Sequence, residues 1–204
     1  MHSHDELIKY LVKNGRLQSP RLMAAFRAVD RKDFVLPEAR DWAYEDHALG
    51  IGHKATISQP STVAFMLEKL AAGPGDKVLD VGAGSGWTTA LLAQLVGAEG
   101  AVYGVEIVPA LVELGNHNLS KYHFPQATIL QATQTLGLPP KAPFDRILVS
   151  AGSSEVPEEL MAQLSIGGIL VIPIRRAIWQ VKKLSETEST VRQYPGFVFV
   201  PLQD

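Results

Sequence analysis

The stretch Val78-Leu79-Asp80-Val81-Gly82-Ala83-Gly84-Ser85-Gly86 decides the fold of this 204-residue chain. A short apolar segment, typical of a buried β-strand, runs into three glycines spaced one residue apart, and a helix-like segment follows directly. Glycines at such a turn let the backbone approach a ligand closely, because no Cβ stands in the way. Open α/β sheets hold small ligands at loops of this kind, between a strand and a helix N-terminus. The stretch therefore predicts a ligand site on an α/β fold.

An acidic residue closes the next predicted strand. Glu106 lies twenty positions after Gly86 and follows the apolar run Ala101-Val102-Tyr103-Gly104-Val105. A carboxylate at this place can accept hydrogen bonds from the hydroxyls of a ribose. The two features together predict an adenosine-containing cofactor.

The spacing of the glycines separates the candidate cofactors. A dinucleotide fingerprint reads G-x-G-x-x-G, whereas this chain reads G-x-G-x-G and has Trp87 where a dehydrogenase would have glycine. No Gly-Lys-Ser/Thr follows, so the P-loop of nucleotide hydrolases is missing as well. The tighter glycine set, with an acidic residue closing the second strand, resembles the S-adenosylmethionine-dependent methyltransferases. A strand–turn–helix corner whose glycines serve only packing is the alternative.

Composition limits the class of protein. Hydrophobic residues make up 46% of the chain, which predicts a single domain over residues 1–204. We expect a helical N-terminal segment with the active-site loop in residues 1–72 and a cofactor-binding α/β core in residues 73–204. A net charge of −2 provides no basic field for nucleic acid. The absence of cysteine excludes disulfides, thiolate metal sites and a cysteine nucleophile.

Location and assembly are also predicted from the sequence. The start of the chain lacks the apolar stretch of a signal peptide. Its longest apolar runs, such as Ile169-Leu170-Val171-Ile172, are far shorter than the ~20 residues that a membrane span needs. No group of histidines has the spacing of metal ligands. We therefore expect a cytoplasmic monomer without membrane contact, nucleic-acid partner or metal.

The pattern along the chain predicts helices first and then an alternation of strands and helices. Ser19-Pro20 is typical of a helix start, a helix resumes near Pro60, and residues 31–57 look loop-like. Strands are predicted at Lys77–Val81, Ala101–Val105, Ala127–Leu130, Arg146–Ser150 and Ile169–Ile174, and helices at Thr88–Val96, Ala110–Ser120 and Glu158–Leu164. This alternation indicates a Rossmann-like, mostly parallel sheet with helices on both faces. Ile178–Leu184 and Phe197–Leu202, with no helix between them, predict an antiparallel end.

The second informative stretch is Ile51-Gly52-His53-Lys54-Ala55-Thr56-Ile57-Ser58-Gln59-Pro60. Ser58 stands where a loop meets a helix, and the commonest role of serine at such a junction is to cap the helix. Alternatively its hydroxyl, or the free N–H groups of the following turn, orients an anionic substrate. The residues alone leave both interpretations open.

In combination these blocks resemble the protein-L-isoaspartate O-methyltransferase family. The resemblance runs in the same order from about Leu7 to Leu202 and rests on Asp30-Arg31, Phe34-Val35, Ile51-Gly52, Ala55-Thr56-Ile57-Ser58-Gln59-Pro60, Leu79 to Gly86, Ala142-Pro143-Phe144-Asp145, Val156-Pro157, Gly167-Gly168, Ile172-Pro173 and Phe199-Val200-Pro201-Leu202. Many methyltransferases share the glycine loop, whereas Thr56-Ile57-Ser58-Gln59-Pro60 is specific to this family.

The resemblance implies methyl transfer from S-adenosylmethionine to the α-carboxylate of an L-isoaspartyl residue in a damaged protein or peptide, with S-adenosylhomocysteine as the product. The methyl ester would cyclise to a succinimide that can reopen to normal aspartate. The resemblance designates Ser58 as the active-site residue. The cofactor-binding residues that we expect on this basis are Ala55, Thr56, Ile57, Ser58, Asp80, Gly82, Gly84, Ser85, Gly86, Glu106, Ile107, Ala132, Thr133 and Gln180.

The implied chemistry needs no general base. A carboxylate nucleophile has an unperturbed pKa of about 4, so it is already ionised at neutral pH. The protein has to align the reacting groups and exclude water, and orientation of this kind can supply roughly 7–11 kcal/mol of a barrier. We therefore expect Ser58 to act as an orienting donor rather than as a nucleophile.

Three departures from the family pattern keep alternatives open. Ala132-Thr133-Gln134 stands where the family has Gly-Asp-Gly, so Thr133 brings no charge to the adenine. Ala151-Gly152-Ser153-Ser154 and Ile174-Arg175-Arg176-Ala177 also differ from the family. The alternatives are a methyltransferase of the same fold that acts on another peptide carboxylate, and a cofactor-binding protein that has lost catalysis. The glycine spacing disfavours a nicotinamide dehydrogenase.

Overall fold

The computed structural model describes residues 1–199, which form a seven-stranded sheet, a separate two-stranded hairpin and six α-helices. The helices are α1 (His4–Lys13), α2 (Pro20–Ala28), α3 (Pro60–Leu70), α4 (Trp87–Val96), α5 (Pro109–Leu119) and α6 (Glu158–Gln163). The strands are β1 (Leu49–Gly52), β2 (Ala55–Ile57), β3 (Lys77–Val81), β4 (Ala101–Glu106), β5 (Ala127–Gln131), β6 (Phe144–Val149), β7 (Leu164–Ile174), β8 (Ala177–Lys183) and β9 (Ser189–Pro195). Short 3-10 helices lie at Arg31–Phe34, Pro37–Trp42 and Pro139–Lys141.

The large sheet has the strand order β5-β4-β3-β6-β7-β8-β9. Strands β3 to β7 pair in parallel, and β8 and β9 complete the sheet in antiparallel orientation. The chain runs from β3 through β4 to β5 on one side and then crosses to β6 on the other. The strand order therefore reverses next to β3, and in open α/β sheets a ligand crevice opens beyond the carboxyl ends of the strands at such a point. The predicted mostly parallel α/β class with an antiparallel end is confirmed.

The N-terminal helices pack onto the helix that follows the glycine loop. In α4, eight of the ten residues are buried, because the helix lies between the sheet and α2. Phe26 of α2 meets Trp87 of α4 edge to face, with ring centroids 5.6 Å apart. Ser19 caps α2, as predicted, by accepting a hydrogen bond from the amide of Leu22. This packing attaches the N-terminal segment to the face of the sheet that α4 covers.

Two predictions about local structure were wrong. The expected loop over residues 31–57 contains two 3-10 helices and the hairpin of β1 and β2. The last strand lies at Ser189–Pro195 rather than at Phe197–Leu202, of which residues 197–199 are irregular and 200–202 lie outside the described residues. A tight turn in which the Leu184 amide donates to the Glu188 carbonyl brings β9 next to β8. Since β9 is an almost fully exposed edge strand, its sequence lacks the apolar alternation that predicts strands.

Within residues 1–199, no helix combines the length and the apolar character that crossing a bilayer requires.

Candidate active site

A cavity of about 1230 Å³ opens at the carboxyl ends of β3, β4, β5 and β6. Its walls come from the residues that follow each of these strands, as expected for the point where the strand order reverses. The predicted site residues that line it are Ala55, Thr56, Gly82, Gly84, Glu106, Ile107, Ala132 and Thr133. The structure therefore brings together predicted residues from four separate parts of the sequence.

A smaller cavity of about 40 Å³ adjoins the large one. The predicted residues Ile57, Ser58 and Ser85 line it. Thr56, Gly82, Gly84 and Ser150 border both cavities. Ser58 therefore lies beside the large cavity, across the wall that Thr56 and the glycine loop form.

The three glycines of the loop, Gly82, Gly84 and Gly86, have different structural roles. All of them have left-handed φ angles, +81° at Gly82, +53° at Gly84 and +90° at Gly86. A Cβ on Gly84 would lie 3.2 Å from Ile51 Cδ1 on the hairpin, and a Cβ on Gly86 would lie 3.0 Å from the carbonyl oxygen of Gly115 in α5. Gly82 and Gly84 line the cavities, whereas Gly86 lines neither and allows α5 to pack closely. The structure assigns a packing role to Gly86, and its contact with the cofactor stays a prediction.

The backbone holds Glu106 firmly in place at the end of β4. Its side chain is buried, and its two carboxylate oxygens accept hydrogen bonds from the amides of Gly84 at 2.9 Å and Val108 at 3.0 Å. Each oxygen retains a lone pair, since a carboxylate can accept about four hydrogen bonds. The carboxylate thus faces the cavity with free capacity for hydroxyl donors.

Asp80 lies beneath the glycine loop rather than at the cavity. It is fully buried, and its Oδ2 accepts hydrogen bonds from the hydroxyls of Thr88 and Thr89, both at 2.7 Å. Burial raises the pKa of Asp80 to about 6 and the charge of Glu106 adds to the rise, while the two threonine hydroxyls oppose it. Asp80 lines neither cavity, and its carboxylate holds the first turn of α4, so its contact with the cofactor stays a prediction.

Gln180 is the predicted site residue that lies farthest from the others in the fold. It sits within β8, where it pairs with Val171, and β7 separates β8 from the strands of the cavity. Its side-chain amide donates to the carbonyl of Lys69 in α3, and it lines neither cavity. The contact of Gln180 with the cofactor therefore stays a prediction that the cavity lining does not support.

The β1–β2 hairpin forms one wall of the large cavity. Its turn residues His53 and Lys54 both line the cavity and have φ angles of +50° and +61°. Two left-handed residues in succession are typical of a type I′ hairpin turn, which usually contains Asn or Gly. The preference of other residues for right-handed conformations is one reason why the sequence did not predict this hairpin.

Ser58 follows the hairpin directly. The N-cap of α3 is Gln59, without a side-chain hydrogen bond, so the interpretation of Ser58 as a helix cap is wrong. The amide of Ser61 in the first turn of α3 instead donates to Asp46 at 2.8 Å. Ser58 lines the small cavity, and its hydroxyl has no hydrogen-bond partner within residues 1–199.

Another wall of the large cavity follows β6, and the sequence marked part of it, Ala151-Gly152-Ser153-Ser154, as a departure from the family pattern. Residues from Ser150 to Glu159 supply it, and Ser153 is held there by its hydroxyl, which donates to the carbonyl of Glu155 at 2.7 Å. Near the end of β5, the hydroxyl of Thr133 accepts a hydrogen bond from the Thr135 amide at 3.3 Å and keeps its own proton free to donate.

Comparisons with known proteins agree with this geometry. The family model described as "Protein-L-isoaspartate(D-aspartate) O-methyltransferase (PCMT)" matches residues 2–204. The chain is 42% identical to a protein-L-isoaspartate O-methyltransferase of Methanopyrus kandleri, over 98% of this chain and 91% of the relative. It is also 42% identical to one of Thermococcus onnurineus, over 96% and 90%. A crystal structure from Plasmodium falciparum, described as a putative protein-L-isoaspartate O-methyltransferase in complex with S-adenosyl-L-homocysteine, superposes with a TM-score of 0.89 at 25% identity and covers 100% of this chain and 99% of that one.

Proposed function

The chain belongs to the protein-L-isoaspartate(D-aspartate) O-methyltransferase family, and from this membership we propose that the two adjoining cavities form its active site. The enzyme methylates L-isoaspartyl residues of damaged proteins or peptides, using S-adenosylmethionine as the methyl donor. The observation that carries the assignment of the site is the convergence of Glu106, the glycine loop and the segment Ala55–Ser58 on two adjoining cavities with shared walls.

The residues around the cavity offer hydrogen-bonding groups and free space that fit an adenosine group. Glu106 offers two oxygens with free lone pairs, and Gly82 and Gly84 keep the cavity floor free of side chains. Ile107 is 40% exposed and provides an apolar surface beside the carboxylate, which suits the flat face of a purine. Ala132 and Thr133 border the same end of the cavity, where the Thr133 hydroxyl can donate to a ring nitrogen.

The reaction requires positioning more than acid–base chemistry. The bound cofactor supplies a methyl group on a positively charged sulfur. The isoaspartyl carboxylate is ionised at neutral pH, so no side chain has to take up a proton when the ester forms. Ser58 orients this carboxylate through its hydroxyl, and the hairpin walls the site off from solvent. Orientation and exclusion of water are the contributions left to the protein.

The opposite walls of the large cavity suit a peptide segment on either side of the reacting residue. The tip of the hairpin, His53 and Lys54, forms one rim, and Ser153 to Glu159 form the other. We assign this outer part of the cavity to the damaged polypeptide, and the part near Glu106 to the cofactor.

A comparison of two serines tests the proposed site. Ser58→Ala should lower kcat on an isoaspartyl peptide by roughly 10- to 100-fold with an unchanged affinity for S-adenosylhomocysteine, because a 1 Å loss of alignment costs about that much. Ser61→Ala, which lies one helical turn away and borders neither cavity, should keep full activity. Turnover by Ser58→Ala equal to that of the parent enzyme would remove Ser58 from the mechanism.

Equal methylation of an isoaspartyl peptide and its normal aspartyl isomer would contradict the substrate assignment.

We propose further that the enzyme acts as a cytoplasmic monomer of one domain and has no nucleic-acid partner. The net charge of −2 supports a protein substrate rather than nucleic acid. Light scattering during size-exclusion chromatography checks the assembly, since a monomer has a mass of 22.2 kDa.

A further inference from the structure

Arg31 is a buried cation directly behind the active-site serine. It begins the short 3-10 helix Arg31–Phe34 and is 0% exposed. One terminal nitrogen of its guanidinium donates to the carbonyl of Ala43 at 2.7 Å, and the other donates to the carbonyls of His47 at 3.0 Å and Ser58 at 3.1 Å. A longer contact of 3.4 Å reaches the carbonyl of Glu45. Arg31 therefore connects the loop of residues 43–47 to the backbone of Ser58.

The guanidinium also touches the helix that carries the glycine loop. Its central carbon lies 5.4 Å from the centre of the Trp87 ring, and Trp87 is the first residue of α4, directly after Gly86. A cation over an indole face is attracted by the ring quadrupole, most strongly where water is excluded. One side chain thus contacts the serine backbone and the cofactor side of the site.

No carboxylate within residues 1–199 forms an ion pair with Arg31 at contact distance. Burial lowers the pKa of Arg31 to about 10, and the charge of nearby Asp46 opposes this fall, so the group stays protonated at neutral pH. A buried charge is unfavourable unless its donors are matched, and a long apolar side chain would fill the same volume without that penalty. What an apolar side chain would not provide is the planar fork that binds several carbonyls at fixed positions.

We propose that Arg31 is a positioning residue for methyl transfer: it fixes the backbone of Ser58 relative to the glycine loop by binding the Ser58 carbonyl. This inference rests on the proposed role of Ser58. The serine hydroxyl has no partner of its own within residues 1–199, so the position of the hydroxyl depends on how firmly its backbone is held.

The main test replaces the guanidinium group of Arg31, with its two terminal nitrogens, by the single ammonium nitrogen of lysine. In Arg31→Lys one ammonium nitrogen cannot occupy the positions of both terminal guanidinium nitrogens, so the contacts to Ala43 and to His47 and Ser58 cannot all be kept, and kcat should fall by about 10- to 100-fold. The KM for S-adenosylmethionine and the affinity for S-adenosylhomocysteine should stay within about twofold of the parent values. Arg146→Lys is the matched control, because Arg146 also donates to a backbone carbonyl, that of Ala71, and lines neither cavity.

A double-mutant cycle separates positioning from a general structural role. In the Ser58→Ala background, Arg31→Lys should change kcat by less than about threefold, since the hydroxyl that it positions is gone. An equal loss of kcat in both backgrounds, or no loss in either, would overturn the proposal. Arg31→Gln, which keeps two N–H donors, is the second variant. If both Arg31 variants unfold at the assay temperature, Arg31 is needed for the fold as a whole and the positioning proposal is also overturned.

A measurement without turnover keeps this inference distinct from the proposed function. Hydrogen–deuterium exchange of amides in residues 55–62 should become about tenfold faster in Arg31→Lys, with residues 101–106 of β4 unchanged. If the parent enzyme fails to methylate isoaspartyl peptides, the proposed function fails, and the exchange result still decides whether Arg31 holds this segment. Unchanged exchange in residues 55–62 would overturn the inference whatever the activity.

Discussion

The two halves of the active site are built in different ways. The sheet half, residues 77–108, takes its geometry from parallel strands and the glycine loop between them. The N-terminal half, residues 31–60, consists of short 3-10 helices and the small hairpin, and it is held by side chains that bind backbone groups, above all Arg31 and Asp46. The first half depends on local backbone geometry, and the second depends on contacts between residues far apart in the sequence. Variants in each half should therefore fail in different ways.

The largest effect is expected in the sheet half, at the carboxylate. Glu106→Gln removes the charge and one of the two acceptors that bind the amides of Gly84 and Val108. The Kd for S-adenosylhomocysteine should rise by about 100-fold, because hydrogen bonds to a charged group contribute about 1.5–3 kcal/mol. Calorimetry measures this Kd. Glu113→Gln, on the exposed side of α5, is the control. An unchanged Kd in Glu106→Gln would move the cofactor away from β4.

A pair of glycine substitutions compares the packing of the two halves. A Cβ on Gly104 of β4 would lie 2.9 Å from Ile129 Cγ1 and 3.0 Å from the Cβ of Ala83, so Gly104→Ala should lower the free energy of unfolding by about 1–3 kcal/mol. A Cβ on Gly50 of the hairpin would meet nothing within 4 Å, so Gly50→Ala should change the free energy of unfolding by less than about 0.5 kcal/mol. Urea unfolding measures both. Equal losses would show that the hairpin is packed as tightly as the sheet.

The buried Asp80 predicts a pH dependence that belongs to the sheet half. Burial raises the pKa of Asp80 from its ordinary value of 3.8 to about 6 in the folded protein. As the pH falls below 6, the folded protein therefore takes up a proton at Asp80 before the unfolded chain does. The contribution of Asp80 to stability is therefore unfavourable at pH 7.5 and improves toward pH 4. Between pH 7.5 and pH 5.0, the parent protein should gain about 1 kcal/mol relative to Asp80→Asn. A constant difference between the two proteins would indicate an ordinary pKa.

The smallest effect is expected at the tip of the hairpin. Lys54 has a φ of +61°, a conformation that costs most residues about 1–2 kcal/mol and glycine little. Lys54→Gly should raise the free energy of unfolding by about 0.5 kcal/mol, once the greater flexibility of unfolded glycine is subtracted. Lys54→Ala is the control, since it loses the same charge and keeps the left-handed backbone. If Lys54→Gly proves less stable than Lys54→Ala in urea unfolding, this account of the turn is contradicted.

The same division explains what the sequence could predict. Gly82, Gly84 and Glu106 belong to a local strand–loop–helix pattern, and the structure places all three at the cavity. Ser58 was designated by resemblance alone, since a junction serine most often caps a helix. Gln180 lies outside both cavities, and its hydrogen bond to α3 could not be predicted because the orientation of a mid-strand side chain depends on which helix covers the strand.

Arg31 illustrates the limit of sequence reasoning most clearly. Arginine is among the residue types least often fully buried, and the carbonyls that it binds come from residues 12 to 27 positions further along the chain. Nothing in the local pattern around Asp30-Arg31 predicts these partners. The residue became prominent only through the resemblance to the family and through the folded structure.

The fixed carboxylate at the end of β4 also has a consequence for selectivity. Because the amides of Gly84 and Val108 anchor Glu106 from behind, it cannot swing aside to admit a second negative group. A nucleotide that carries phosphate on its ribose hydroxyls would bring like charges together in a partly dry pocket, which is strongly unfavourable. From the proposed contact of Glu106 with the ribose, we expect phosphorylated dinucleotides to bind far more weakly than S-adenosylmethionine.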